Sequence, residues 1–264
     1  LADFPGQGSA FVGILDAFWE SKGLVTPEKF RESCAPTVLL ARLPKRTFRN
    51  REKLKAKMEI YHFGKDALNS RKLNWTLIGE DGTVYHKGSL KTKSIQPATV
   101  DSLGIIELPL NGMDSARKLT LKAELGGIHN EWDVWVYPEQ PKTEQHNFVY
   151  TRTWNDETKQ WLNEGKNVLL IPEKCKGRKA HFASHFWNPM IVGTLIDNEH
   201  PAFRDFPTRN YADWQWWDIL NYSTALELDE LKEITPLIQS IDSYETNQKL
   251  GISFEAKVGK GKLF

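Results

Sequence analysis

Two aspartates beside a tryptophan-rich run are the first residues in this sequence that could carry out catalysis. Asp213 and Asp218 flank the segment Trp214-Gln215-Trp216-Trp217, and cleavage of a glycosidic bond uses a pair of carboxylates. Residues five apart on a helix point in different directions, however, and Asp213 also stands where a helix N-cap is expected. The spacing therefore favours a structural role for Asp213.

A cysteine followed by two histidines is the second candidate. Cys175 comes after a predicted buried strand, and His181 and His185 follow it. Nucleophilic cysteines of the amidotransferase type lie in a glycine-flanked turn between a strand and a helix. The segment around Cys175 lacks the leading glycine and no helical pattern follows, so we predict that this thiol is not a nucleophile.

Metal and cofactor sites are the third possibility to weigh. His181 and His185 have the i, i+4 spacing of two ligands on one helix face, but no third ligand stands at a recognisable distance. Gly259-Lys260-Gly261-Lys262 follows a strand but lacks the frame of a phosphate-binding loop. The sequence therefore predicts no metal and no cofactor.

A polar and aromatic loop opens the chain and could contact a substrate. Asp3, Phe4 and Gln7 stand directly before a stretch with helical spacing of apolar residues. If this loop follows the last strand of an α/β barrel, it lies on the catalytic face. Asp3 and Gln7 could then hydrogen-bond sugar hydroxyls. The alternative, in which these groups bond to their own loop backbone, stays open.

Tryptophan is abundant, with ten residues in a chain of 264. Burial in a core is the usual explanation for a tryptophan, but an exposed indole also offers a flat platform for the C–H face of a sugar. We therefore take Trp187, Trp214, Trp216 and Trp217 as candidate sugar-binding residues. Composition alone does not separate the two roles.

Composition also excludes several classes of protein. The chain is 40% hydrophobic and 26% charged, as in folded globular proteins, and no apolar run approaches the roughly 20 residues of a membrane helix. Basic residues concentrate between Arg42 and Lys57, but Phe48 is the only aromatic residue among them. Because single-stranded nucleic acid needs a series of stacking rings, this favours a solvated strand face over a nucleic-acid site.

The elements that must position these residues begin with residues 37–138. Leu119 and Leu121 alternate with Thr120, so one face of a strand is apolar and the other is wet. Turn signals such as Asn111-Gly112 divide the stretch into about seven short strands. This number and rhythm predict an immunoglobulin-like β-sandwich.

The segment before the sandwich reads as two short helices. Apolar residues recur at helical spacing from Ala10 to Phe18, with Gly23 as a natural stop. Thr26 and Pro27 are typical of an N-cap and a first helical position, and they predict a second helix that ends before Pro36.

After the sandwich, the spacing of apolar residues along the chain changes. A short strand at residues 148–150, a helix capped by Asn155 and a buried strand at residues 167–172 predict a βαβ unit with parallel strands. Two more strands are predicted at residues 236–241 and 250–256.

Several segments resemble one family, a bacterial branch of glycoside hydrolase family 2, the β-galactosidase-like enzymes. Residues 3–8, 12–19 and 22–28 resemble the end of the catalytic barrel, residues 40–46 and 132–138 resemble the bounds of the sandwich that follows it, and residues 213–217 and 247–251 resemble the terminal α/β module. The resemblance runs through essentially the whole chain in the same order.

The resemblance implies a multi-domain fold of the β plus α/β class. Residues 1–36 would be the C-terminal, helical remnant of a catalytic (β/α)8 TIM barrel, and residues 37–138 the immunoglobulin-like sandwich. Residues 139–264 would be a doubly wound α/β domain of the amidotransferase or flavodoxin type, truncated at its end.

The resemblance also implies a function. These enzymes are retaining glycosidases with two barrel carboxylates, which would lie upstream of Leu1, so we assign no catalytic residue here. The expected role is a non-catalytic accessory one, with the upstream barrel and an oligosaccharide or glycoside as partners and a periplasmic or extracellular location favoured. The alternative is a carbohydrate-binding or homo-oligomerisation module that uses exposed tryptophans.

Overall fold

The computed structural model describes residues 13–16, 18–69, 71–139, 148–182, 193–243 and 245–264. The chain forms two compact units, one of residues 1–111 and 118–134 and the other of residues 112–117 and 135–264. Strands predominate in both units. Within the described ranges, no helix has the length and apolar character that crossing a bilayer would require.

Eight strands follow one another in the described residues between 37 and 137. They are β1 (Thr37–Arg42), β2 (Thr47–Arg49), β3 (Lys53–His62), β4 (Lys72–Gly79), β5 (Val84–Lys91), β6 (Thr99–Pro109), β7 (Arg117–Leu125) and β8 (Ile128–Tyr137). β1, β3 and β6 form one antiparallel sheet, and the other sheet has the order β2-β8-β7-β4-β5. The prediction of a β-rich module is thus confirmed.

Alternation of apolar and polar residues accounts for these strands. Leu54, Met58 and Ile60 on β3 are fully buried, while Lys53 and Lys55 on the same strand are exposed. Burial of one such apolar side chain contributes about 1.5–3 kcal/mol. A one-residue slip of the pairing would expose the whole row, so the sequence pattern fixes the register.

The helix predicted between Ala10 and Gly23 is wrong for the residues that the structure describes there. Leu15 and Ser21 instead form an isolated antiparallel bridge. One carboxylate oxygen of Asp16 accepts the backbone N–H groups of Phe18 and Glu20, each at 2.9 Å. This local bonding competes with helix formation, as expected of aspartate.

The second predicted helix is confirmed as α1 (Pro27–Arg31). Thr26 is its N-cap, and the Thr26 hydroxyl accepts the backbone N–H of Lys29 at 3.2 Å. The helix is shorter than predicted because its C-cap is already Glu32.

The second unit contains nine further strands and two α-helices. The elements are β9 (Phe148–Thr151), α2 (Asp156–Asn163), β10 (Asn167–Leu170), β11 (Arg178–Lys179), β12 (Gly193–Ile196), α3 (Trp217–Asn221), β13 (Thr224–Glu227), β14 (Pro236–Ile241), β15 (Lys249–Phe254), β16 (Ala256–Val258) and β17 (Gly261–Leu263), counted over the described ranges. β9 and β10 are parallel with α2 between them, so the predicted βαβ unit is confirmed. β17 pairs with β10 in parallel and with β16 in antiparallel orientation.

The rest of the second unit departs from a doubly wound arrangement. A doubly wound sheet predicts parallel neighbours, whereas the order β11-β13-β15-β14-β12 is antiparallel at every described pair. β14 and β15 are joined by only seven residues, and a connection this short reverses the chain instead of crossing over. The parallel prediction therefore holds for β9, β10 and β17 only.

Candidate functional site

The predicted sugar-binding residues fall into two groups. Asp3, Phe4, Gln7 and Trp187 lie outside the described residues. The other three lie within the second unit: Trp214 and Trp216 on a 3₁₀ turn (Trp214–Trp216), and Trp217 at the start of α3, which follows directly.

Asp213 begins this aromatic turn. It is the N-cap, and its carboxylate accepts the backbone N–H of Gln215 at 3.3 Å. The capping role predicted for Asp213 is confirmed. Asp218 lies in the first turn of α3 and is exposed, where its charge favours the positive end of the helix dipole. Each aspartate thus stabilises the start of a short helix.

Trp216 does not offer a sugar platform, which corrects its inclusion among the candidates. Only 2% of the residue is exposed, and its indole N–H donates to the Thr208 hydroxyl at 2.8 Å. Phe206 packs edge-on against it, with ring centroids 4.9 Å apart. Trp216 therefore belongs to the core, together with Ile196, Leu220 and Ile238.

Trp214 and Trp217 do reach solvent, with 52% and 47% of each residue exposed. Their rings lie nearly parallel, with an interplanar angle of 26° and centroids 6.0 Å apart. Phe182 contacts both, at centroid distances of 5.5 Å from Trp214 and 5.2 Å from Trp217. We call these three residues the aromatic cluster.

Gln215 fixes the aromatic turn from the buried side. Its side-chain carbonyl accepts the Tyr137 hydroxyl at 2.6 Å, and its amide donates to the Pro207 carbonyl at 2.8 Å. Burial of Tyr137, with the nearby charge of Asp213, raises the pKa of the phenol, so it remains a hydrogen-bond donor. Since one face of the turn is locked in this way, the neighbouring tryptophans are held in position.

The cysteine and histidine candidates are not brought together as a catalytic site in the described part of the chain. Cys175 is exposed in the loop between β10 and β11, so a strand and not a helix follows it. His181 is half-buried, and His185 lies outside the described residues. No cluster of three or more metal-ligating side chains occurs in the described ranges.

A groove in the first unit is a feature that the sequence pattern did not reveal. It has a volume of about 280 Å³ and lies over β4, β7 and β8, beside the end of α1. Its polar lining residues are Glu32, Asn74, Thr76, Lys122, Glu124, His129, Asn130 and Glu131. These residues come from four separate elements, so only strand pairing could have indicated that they meet.

Ion pairs hold one wall of this groove. The Lys29 ammonium lies 2.6 Å from a Glu32 oxygen and 2.9 Å from a Glu131 oxygen. Burial acts to lower the pKa of Lys29, but its hydrogen bonds to the two glutamates outweigh this and raise it. The hydrogen bond from Lys29 lowers the pKa of Glu131. Lys29 and Glu131 therefore both stay ionised at neutral pH.

Family models match two parts of the chain. Residues 52–138 match a domain of unknown function, DUF8488, and residues 149–264 match another, DUF8487. No curated protein sequence is significantly similar to the chain.

Solved structures resemble parts of the chain weakly. The sporulation control protein Spo0M of Bacillus subtilis is 16% identical over 40% of this chain and 51% of its own, with a TM-score of 0.31. A β-glucuronidase of Parabacteroides merdae is 9% identical over 53% of this chain and 21% of its own, with a TM-score of 0.26.

A Bacteroides fragilis protein described as a β-galactosidase is 10% identical over 53% of this chain and 25% of its own, also at 0.26. This chain thus spans about half of Spo0M and a quarter or less of the two glycosidases. These TM-scores are too low to show a shared fold or function.

Proposed function

We propose that this chain is a non-catalytic, carbohydrate-binding accessory region of a retaining, β-galactosidase-like glycoside hydrolase. The sequence resemblance supports the family, and the aromatic cluster supports the binding role. In this proposal residues 1–36 end a catalytic barrel, residues 37–138 form an immunoglobulin-like sandwich and residues 139–264 form an α/β module related to amidotransferases. The catalytic carboxylates belong to the upstream barrel.

The observation that carries the binding role is the half-exposed pair Trp214 and Trp217. Exposing two large apolar rings next to each other costs free energy that burial would recover, and such patches commonly mark interaction sites. Nearly parallel indoles suit the flat C–H faces of pyranose rings, because each ring face is apolar while its hydroxyls point sideways to water. Because the hydrogen bonds of Gln215 already hold the turn in place, less conformational entropy is lost when a ligand binds.

Removal of both rings tests this role. We expect the double variant Trp214→Ala/Trp217→Ala to bind neutral oligosaccharides at least about fivefold more weakly, because each aromatic contact is worth about 0.5–1.5 kcal/mol. Isothermal titration against β-linked galacto- and gluco-oligosaccharides measures the change. Trp19→Ala is the matched control, since Trp19 is 72% exposed but lies in the first unit.

Two results would contradict the binding role. One is unchanged saccharide affinity in the double variant. The other is a wild-type chain that self-associates in light scattering and becomes monomeric in the double variant without ever binding sugar, because the cluster would then be a subunit interface.

The non-catalytic part of the proposal has its own test. We expect the purified chain to release no nitrophenol from aryl β-galactosides or β-glucosides above the uncatalysed rate. Asp213 caps a turn and Asp218 is an exposed carboxylate in the first turn of α3, so we assign neither of them to an acid and nucleophile pair. Hydrolysis that co-purifies with the chain and disappears in Asp218→Asn would refute this expectation.

A further inference from the structure

The groove of the first unit is built from side chains that the aromatic cluster does not involve. Its floor is the outward face of β4 and β7, where Asn74 pairs with Glu124 and Thr76 pairs with Lys122. Glu32 at the end of α1 forms a wall on the side of β8, held there because the Asn130 amide donates to its backbone carbonyl at 2.9 Å. Two layers of structure thus form a concave surface.

Ion pairs join several of the charged side chains of the groove. Glu131 contacts the Lys29 ammonium through one oxygen, and its other oxygen lies 3.4 Å from the Lys122 ammonium. Glu32 contacts Lys29 as well, and the His129 ring lies 3.8 Å from its second oxygen. An anionic ligand would have to compete with these glutamates for Lys29 and Lys122. The groove therefore favours a neutral ligand over an anionic one.

The groups of the groove that form no ion pair are the ones left for a ligand. Within the described ranges, the side chains of Asn74 and Thr76 form no hydrogen bond or ion pair. Glu124 lines the same groove and uses one oxygen to accept the Gly127 N–H at 2.7 Å. An amide, a hydroxyl and a carboxylate oxygen together offer both donors and acceptors.

The spacing of these groups suits one sugar ring. Asn74 and Thr76 are two residues apart on β4, so their side chains lie on the same face about 6.6 Å apart. That distance is comparable with the width of a pyranose ring together with its hydroxyls. The volume of about 280 Å³ accommodates one such ring and little more.

We propose that this groove binds a single pyranose unit of a neutral saccharide, with Asn74, Thr76 and Glu124 hydrogen-bonding its hydroxyls. The choice of a saccharide over another neutral polyol rests on the proposed function. The site is separate from the aromatic cluster, and it gives the chain a second contact with carbohydrate. Lys29 and Glu131 are positioning residues, because they hold the wall and do not need to touch the sugar.

Backbone-amide NMR of the full chain tests the proposal, with methyl β-galactoside, methyl β-glucoside and glucuronate as probes. We expect a neutral glycoside to shift the amide signals of residues 74–76 and 122–124. The double variant Asn74→Ala/Thr76→Val should lose at least tenfold in affinity at these signals. Lys87→Ala/Ser89→Ala is the matched control, because these exposed positions on β5 pair with Thr76 and Asn74 outside the groove.

The outcomes separate this proposal from the proposed function. If Asn74→Ala/Thr76→Val weakens binding at the groove signals and leaves the shifts around Trp214 and Trp217 unchanged, the result supports the second site. Shifts around the two tryptophans alone overturn the groove site and leave the proposed function standing. No shift at either place with any neutral probe overturns both. A groove that responds to glucuronate and not to the neutral glycosides also overturns the proposal.

Discussion

Replacing Trp216 with alanine is expected to lower the free energy of unfolding of the second unit by about 3–5 kcal/mol. The residue is 2% exposed, and truncation would leave a cavity between Phe203, Phe206 and Ile238. The Thr208 hydroxyl would also lose the indole N–H that it accepts at 2.8 Å. Because a small unit has only about 5–15 kcal/mol of total stability, this single change should bring it near unfolding.

Urea unfolding followed by far-ultraviolet circular dichroism measures the effect of Trp216→Ala. Trp217→Ala is a matched control, since it removes the same atoms from the next residue, which is 47% exposed. We expect the control to cost less than about 1 kcal/mol and to weaken saccharide binding. Equal stability losses in the two variants would mean that Trp216 is not the core residue of this turn.

The contrast between these neighbours shows what the sequence could and could not predict. The cap at Asp213 depends only on the residues next to it, so it was predictable from the sequence. Which ring is buried depends on the rotation of a 3₁₀ turn against Phe203 and Phe206, and these partners are not fixed by local spacing. Burial of a residue in a short turn therefore had to be observed.

The strands show the same division between local and distant information. Alternation predicted β7, and β14 begins and ends as predicted, because a strand with one buried face carries its own period. The antiparallel order of five strands in the second unit depends on pairing between distant segments. The groove residues likewise meet only because β4 pairs with β7.

In the described residues, the helix predicted between Ala10 and Gly23 fails for a local reason that outweighs the apolar period. Phe18 is 84% exposed and Trp19 is 72% exposed, so the spacing of apolar residues there does not reflect a buried face. Trp19 adopts a φ of 67° in the left-handed region, which ends any helical run. The Asp16 carboxylate stabilises this turn through Phe18 and Glu20.

The second large effect is expected at Asp242, whose side chain is 1% exposed and lies 2.5 Å from the Arg178 guanidinium. Its first oxygen also accepts the Ser243 N–H at 2.8 Å. Its second oxygen accepts the Thr246 hydroxyl at 2.6 Å and the Gln248 N–H at 2.9 Å. The carboxylate thus ties β11 to the loop between β14 and β15.

Asp242→Asn is expected to cost the second unit about 3 kcal/mol at neutral pH, as breaking a buried ion pair by removing one partner does. The side-chain amide nitrogen of asparagine is itself a donor, and it would replace an oxygen that now accepts two hydrogen bonds. Arg178 would also lose its counter-charge. Asp218→Asn is the control, because that carboxylate is exposed, and it should cost less than about 1 kcal/mol. Urea midpoints of both variants at pH 7 measure the difference.

The same carboxylate makes the difference depend on pH. Burial acts to raise the pKa of Asp242, but the bonds from Thr246, Gln248 and Ser243 and the charge of Arg178 lower it below its ordinary value. The folded state therefore binds fewer protons than the unfolded state, whose aspartate pKa is about 3.9. The stabilisation is fully present above that pH and is lost as the pH falls through the lower folded value. The gap between wild type and Asp242→Asn should stay constant from pH 8 to pH 5 and shrink below about pH 4, and a gap that widens on acidification would mean that Asp242 is not held as the ion.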